Sequence, residues 1–229
     1  ADSTGSGGLA DGDKGDITVS NSAAQWTIDN DVIDNANVNS AAAIAATKLA
    51  YTATGTGATA NRLVDAKLKD VVSVKDFGAV GNGSTDDATA FQNAINAHVA
   101  VYVPQGTYKI GSTLTSTNRN LTLFGDGHEM SILQWSGGTS GLVFTDTSSS
   151  EATKALVVKD LRFDANAALT GGPISADYTH YSGKVEASVI IQNCAFTKTS
   201  SGYWTNGVLL SNARHSTIET STFRGNGIS

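Results

Sequence analysis

A chain of 229 residues with 24 glycines and only 16% charged residues has room for one or two domains built mainly from strands and turns. Its net charge of -6 is spread without a basic block, which excludes the electrostatic footprint of a nucleic-acid-binding protein and of one held on an anionic membrane surface. No apolar run reaches the roughly eighteen residues of a spanning helix, so no membrane insertion is expected, and the opening ADSTGSGGLADGDKGD has neither the basic nor the apolar region of a signal peptide.

Residues 1–70 are rich in Asn, Ala, Thr and Gly, with single hydrophobics at Ile17, Val19, Trp26, Ile28, Val32 and Ile33. These are too sparse to close a core, so partner chains are expected to complete it. ITVSNSAAQWTI, beginning at Ile17, alternates apolar and polar as a two-strand hairpin does. SAAAIAATKL suggests a short helix capped by Ser40. The acidic cluster Asp11, Asp13 and Asp16 resembles a calcium loop only loosely, because Gly15 stands where an oxygen ligand is required; a solvated turn is expected instead.

Residues 71–119 pose a sharper question in SVKDFGAVGNGSTDDATAFQNAINAHVAVYVPQGTYKI, which starts at Ser73. The spacing of Ala88, Phe91, Ala94 and Ile95 predicts a helix from Asp87 to Ala97, with Thr85, Asp86 and Asp87 offering oxygens to the unpaired N–H groups of its first turn. Adjacent residues at a helix start diverge in direction, so the two carboxylates read as helix-start residues and not as an acid/base pair. VAVYVPQGTYKI then reads as strand, tight turn at Pro104-Gln105-Gly106, strand.

Residues 120–229 are a procession of short alternating segments: LTLFGDG, GLVFTD, ALVVKDLRFDAN, ASVIIQNCAFTKT, GVLLSNA and STIETSTFRGNG. Leu161-x-Phe163, Ile191-x-x-x-x-Phe196 and Ile218-x-x-x-x-Phe223 superpose at intervals of roughly thirty residues, an imperfect internal repeat. Such a pattern suits a solenoid whose coils stack at about 4.8 Å, or a sandwich of antiparallel strands. The helix before the repeats favours the solenoid, because a stack of coils has an open apolar end that needs a lid.

VKDFGAVGNGSTDDATAFQNAINA, VYVPQGTYKIGSTLT and LTLFGDGHEMSIL together resemble the pectate-lyase-like right-handed parallel β-helix proteins, especially those of bacteriophage tailspikes. Upstream, GDKGDITVSNSAAQWTID and the segment through VVSVKDFG look like the linker of phage tail fibres and tailspikes. The resemblance implies a mainly β fold: residues 1–70 a trimeric virion-attachment and linker region, 71–119 the capping strand-helix-strand, and 120–229 the first coils, continuing beyond 229. It further implies a homotrimer in the phage virion, extracellular after host lysis. Its expected partners are tail or baseplate proteins and a host-surface polysaccharide.

Two functions follow from the resemblance, an adhesive tailspike component and a polysaccharide depolymerase acting as glycosidase or lyase. Glycosidic hydrolysis needs two carboxylates about 5 to 9.5 Å apart; Asp160, Asp164, Glu186 and Glu219 read as the few exposed acids of the coils, and nothing in the sequence brings any two of them together. The D-P-H-E signature of alginate-epimerase relatives is absent, the nearest run being Asp177-Tyr178-Thr179-His180, and so is the polygalacturonase aspartate triplet. No catalytic, cofactor-binding or metal-binding residue is therefore assigned, and no cofactor is expected. His128, His180 and His215 read as solvated loop histidines. Tyr178, Tyr181, Tyr203 and Trp204 read as loop aromatics that stack on sugars or form a subunit contact. Cys194, the single cysteine, reads as a buried small hydrophobe.

Overall fold

The computed structural model describes residues 12–13, 17–21, 24–28, 44–52, 61–147, 154–178 and 188–225. The chain divides into two compact units, one ending at Asp65 and the other beginning at Ala66.

In the first unit Ile17–Ser20 pairs antiparallel with Gln25–Ile28, placing Val19 opposite Trp26, as the alternation predicts. Gly12–Asp13 pairs with the other edge of Ile17–Ser20, so part of the expected solvated turn is a strand. Asp11 and Asp16 lie outside the described residues. Of the helix expected over SAAAIAATKL, Ser40 and residues 41–43 lie outside the described residues, and Ala46–Lys48 form one 3-10 turn. The Leu49 carbonyl accepts a hydrogen bond from the Val64 N–H, and Ala50–Thr52 pairs antiparallel with Asn61–Leu63. Val19 is buried, but Trp26 and Ile28 remain 56% and 54% exposed.

The second unit is a parallel β-helix. Its first sheet stacks Val72–Ser73, Ala100–Val103, Leu121–Gly125, Ala155–Lys159, Ser188–Gln192 and His215–Glu219. The second stacks Asn82–Asp86, Gly106–Ile110, Ser131–Trp135, Arg162–Ala165, Ala195–Lys198 and Thr222–Phe223. The third stacks Leu114–Thr117, Leu142–Asp146, Ile174–Tyr178 and Leu209–Ser211. Every pairing within these sheets is parallel, which excludes the antiparallel sandwich.

Parallel registry puts like residues above one another, and the interior is built from such rows. Val101, Leu123, Val158, Ile191 and Ile218 are aligned on the first sheet. The partner of Ile191 is therefore Val158, not Leu161; Leu161 belongs to the corner, where its carbonyl accepts from the Ala195 N–H. On the second sheet Phe163, Phe196 and Phe223 fall in register as the repeat predicts, with ring centroids 5.4 and 4.7 Å apart. Trp135 stacks on Phe163 at 5.3 Å and meets Trp204 edge-on at 5.7 Å. Cys194 is buried at the corner, and desolvation pushes its thiol from 9.0 up to about 11, as suits a packing residue and not a nucleophile.

The helix Ala88–Ala97 buries Ala88, Ala90, Phe91, Ala94 and Ile95, the face its spacing predicts, and Phe91 meets Tyr108 edge-on at 5.2 Å. It also blunts an edge. The Gln92 amide donates to the Thr115 carbonyl and accepts from the Thr115 N–H, both at 2.9 Å, as a neighbouring strand would on the outermost strand of the third sheet.

The two aspartates at the helix start divide their work. Asp86 accepts from the Ala88 N–H and from the Gly111 N–H, each at 3.0 Å, and so serves the first turn as expected. Asp87 does not bond the helix through its side chain. Buried at 2% exposure, it turns back and accepts from the Val80 and Gly81 N–H groups at 2.7 and 3.0 Å. Gly81 has φ +71°, and a Cβ there would lie 2.8 Å from the Tyr108 ring, so Asp87 fixes a bend only glycine fits.

Candidate functional site

The corner between the first and second sheets is tight in the later coils. Asp160, Asn193 and Thr220 each take one left-handed residue there, with φ of 57°, 50° and 49°. Their side chains form a ladder in which the Asn193 amide donates to Asp160 at 2.6 Å and the Asn193 N–H donates to Thr220 Oγ1 at 3.1 Å.

One coil earlier the same corner is long. Phe124 is aligned with Lys159, and Ile132 with Arg162, so residues 126–130 are an insertion between Gly125 and Ser131. Its root is fixed. Asp126 accepts from the Tyr102 hydroxyl at 2.6 Å and from the Gln105 N–H at 2.8 Å, and this hydrogen bond raises the Tyr102 phenol above its ordinary 10.0. Ser131, buried where later coils carry Leu161 and Cys194, donates to the Val103 carbonyl and accepts from the Asp126 N–H. The Gly127 N–H reaches the Asp160 carbonyl, which leaves the tip, His128 and Glu129, beside the second sheet's outer face.

On that face Arg162, Ala195 and Thr222 occupy one outward column, and Asp164 and Thr197 lie in the next. A long side chain followed by two short ones leaves a depression. It is an open groove of about 440 Å³ lined by His128, Glu129, Arg162, Thr197, Lys198 and Arg224, with Ala195, Thr222 and Gly225 between them. This volume falls within the range of ligand clefts, about 300–1,000 Å³. Three permanent cations face one lining carboxylate, on a chain whose net charge is -6.

Arg162 stands between two carboxylates of different character. Asp164 is buried; it accepts from Arg162 Nε at 3.2 Å and from the Thr197 hydroxyl. Arg162 Nε also donates to Thr197 Oγ1 at 3.1 Å. Glu129 lies 3.7 Å from Arg162 Nη1 and 3.5 Å from His128 Nε2, with its side chain 75% exposed. A buried, hydrogen-bonded carboxylate holds its partner firmly, whereas an exposed ion pair contributes little. Arg162 is thus fixed through Nε, with its outer nitrogen directed at the groove.

The structure revises several expectations about individual residues. Asp164 is not an exposed acid but is covered by Arg162 and Thr197, the latter one coil away. Glu219 is exposed on the first sheet and accepts from Gln192, well separated in the coil from Asp164. Glu186, His180 and Tyr181 lie outside the described residues. Tyr178 and Trp204 are not sugar-facing loop aromatics. Both are buried strand residues, with the phenol donating to Ser188 O at 2.9 Å and the indole to Thr197 O at 3.0 Å. Tyr203 is exposed, and His215 is exposed on a strand. Among the described residues His128 is the histidine candidate that lines the groove. Arg162, Lys198 and Arg224 were not singled out by sequence reasoning; the usable signal was the length of GDGHEMS against the short corners Lys159-Asp160-Leu161 and Gln192-Asn193-Cys194. Among the described residues no group of three or more His, Cys, Asp or Glu could hold a metal ion, and no helix is long and apolar enough to cross a membrane.

Alginate lyase 7 of Azotobacter vinelandii is 32% identical over 124 residues, covering 48% of this chain and 14% of that protein. The preneck appendage protein of Bacillus phage PZA is 27% identical over 135 residues, covering 58% of this chain and 15% of that protein. The chain thus spans about one seventh of the length of these relatives. The solved structure of the pre-mature bacteriophage phi29 gene product 12 aligns at 19% identity and a TM-score of 0.43, over 64% of this chain and 22% of that one. The family described as rhamnogalacturonase A/epimerase, pectate lyase-like, matches residues 71–229. With parallel coils, a helical lid and that match over most of its length, the chain belongs to the rhamnogalacturonase A/epimerase, pectate-lyase-like family.

Proposed function

We propose that this chain is part of a phage virion appendage, a tailspike or tail fibre, whose β-helix engages polysaccharide on the host surface. The observation that carries the reading is the groove on the second sheet, where Arg162, Thr197, Lys198, Thr222 and Arg224 from successive coils offer donors along one open channel. A channel open along the stack suits a polymer better than a small molecule. The likeness to a phage appendage protein supports the virion setting. In this reading the first unit joins the β-helix to the tail, and three chains meet there in parallel, covering Trp26 and Ile28, which a single chain leaves exposed.

Binding of the purified chain to immobilised host-surface polysaccharide tests the reading. Saturable binding is expected; none to capsule, lipopolysaccharide or cell-wall polymers of the host would end it. Sedimentation equilibrium tests the assembly, with three times the chain mass expected and a monomer at micromolar concentration contradicting it.

A second reading, a depolymerase, is favoured by the likeness to an alginate lyase. New reducing ends or unsaturated uronates released during the binding assay would support it.

A further inference from the structure

We propose that Asn206 is a site of spontaneous covalent modification, at which the side-chain amide becomes a carboxylate through a succinimide closed by the Gly207 nitrogen. The inference is independent of the polysaccharide reading and concerns how one corner of the β-helix changes as the protein ages.

The chemistry needs no reactant but water. The Gly207 backbone nitrogen gives up its proton to solvent and attacks Asn206 Cγ. The new N–Cγ bond closes a five-membered ring, and the Cγ–Nδ2 bond breaks as ammonia leaves. Water then opens the ring at either carbonyl, leaving aspartate or isoaspartate. Three conditions favour the attack: a glycine after the asparagine, whose missing Cβ leaves the nitrogen unhindered and the backbone free to bend, an N–H without an acceptor, and a side-chain amide free to swing over that nitrogen.

The sequence contains three Asn-Gly pairs, at 82–83, 206–207 and 226–227, and the structure separates the first two. Asn226 lies outside the described residues. Asn82 is locked. Its Oδ1 accepts from the Ser84 and Thr85 N–H groups, each at 2.9 Å, and its Nδ2 donates to Thr85 Oγ1 at 3.1 Å. Its backbone is paired with Thr107 in the second sheet, and Gly83 is held at φ +75°. Swinging this amide over the Gly83 nitrogen would break all three side-chain hydrogen bonds.

Asn206 meets the conditions that Asn82 fails. Its side chain makes one hydrogen bond, from Nδ2 to the Thr170 carbonyl at 3.4 Å, which is beyond the ordinary N–H···O range. Its own N–H reaches the Gly171 carbonyl at the same long 3.4 Å. Gly207 lies outside any strand, and among the described residues no backbone carbonyl accepts from its N–H. It is exposed, and a Cβ built on it would meet nothing within 4 Å, so the ring has room to close.

The position of this bend gives the product a consequence. The bend leads into Leu209–Ser211, which pairs with Ser175–Asp177 in the third sheet. The Gly207 carbonyl also packs so closely on Gly172 of the preceding coil that a Cβ there would collide with it. Isoaspartate lengthens the main chain by one methylene just before that pairing, and either product adds one negative charge to a chain at -6. Modification therefore loosens Leu209–Ser211 from the third sheet.

The test is peptide mapping by mass spectrometry of the folded chain held in a mildly alkaline buffer, with the same chain in urea as the reference. In the folded chain Asn206 should convert severalfold faster than Asn82, with isoaspartate found at 206. In urea the two rates should converge, because the clamp on Asn82 is then gone. Gly207→Ala, which the open surroundings accommodate, should slow conversion at Asn206 severalfold without lowering the melting temperature. Aged protein should exchange the backbone amides of Leu209–Ser211 faster than fresh protein. Asn82 converting as fast as Asn206 in the folded chain, or a G207A variant that converts no more slowly, would overturn the inference. A rate ratio equally large in urea would assign the difference to the local sequence and overturn the structural ranking, and unchanged exchange at Leu209–Ser211 would overturn the loosening.

Discussion

The two faces of the second sheet obey opposite rules. Inside, Phe163, Phe196 and Phe223 repeat the same side chain at the same height, and their contacts run along the stack. Outside, one residue earlier on each strand, Arg162, Ala195 and Thr222 do not repeat in size or charge, and the mismatch forms the groove. Repetition inside gives a coil stack its stability, since each row packs against near-copies of itself. Irregularity outside gives it a site. Residues 162 and 163 are neighbours in sequence and belong to different problems.

Substitutions should separate the two faces, and the largest effect belongs inside. Phe163→Ala removes a ring packed against both Trp135 and Phe196, and should cost about 3–5 kcal/mol in urea unfolding. A loss under about 1 kcal/mol would mean that the ladder does not carry the fold.

The lid comes next. Asp87→Ala leaves two backbone N–H groups without their acceptor and should cost about 1–3 kcal/mol, whereas Asp86→Ala, which loses the first-turn bond, should cost about 0.5–2 kcal/mol. The reverse order in thermal melts would show that the exposed carboxylate matters more than the buried one.

Alkaline pH sharpens the comparison because three of the acids it titrates are buried in the interior. Burial pushes Tyr108 and Tyr178 up to about 12 from 10.0, and Cys194 up to about 11 from 9.0. Each group is an acid held neutral by the fold, so the unfolded chain loses its proton first. Its contribution is complete below the unfolded value, and it falls away as pH rises through the folded one. Stability should decline from about pH 9 to 12. Tyr178→Phe should make that decline shallower, and an unchanged slope would contradict the assignment.

The smallest effects belong outside. Arg224→Gln and Glu129→Gln should each change unfolding free energy by less than about 0.5 kcal/mol, since neither side chain is buried. A larger loss would make the outer face part of the structural frame.

The fold was more legible in the sequence than the site, for a physical reason. Strand alternation, the Phe163, Phe196 and Phe223 row and the helix face Phe91, Ala94 and Ile95 are local or strictly repeating patterns, and the structure places them as expected. Asp164 and Trp204 were misplaced because what covers them is remote or strand-borne. Thr197 closes over Asp164 from a separation of 33 residues, and the Trp204 indole is satisfied by a backbone carbonyl. Asp87 looked like a capping residue because sequence distance does not reveal which way a carboxylate turns. The groove arises from an insertion in one coil measured against the next, which becomes visible only when the coils are in register.

Thr222→Trp puts the account to its most direct test, because it fills the outer groove without touching the inner row. Calorimetric titration with host polysaccharide, alongside urea unfolding, should find binding abolished and stability changed by less than about 0.5 kcal/mol. Binding that survives a filled groove would contradict the claim that the irregular outer face of the second sheet is the site.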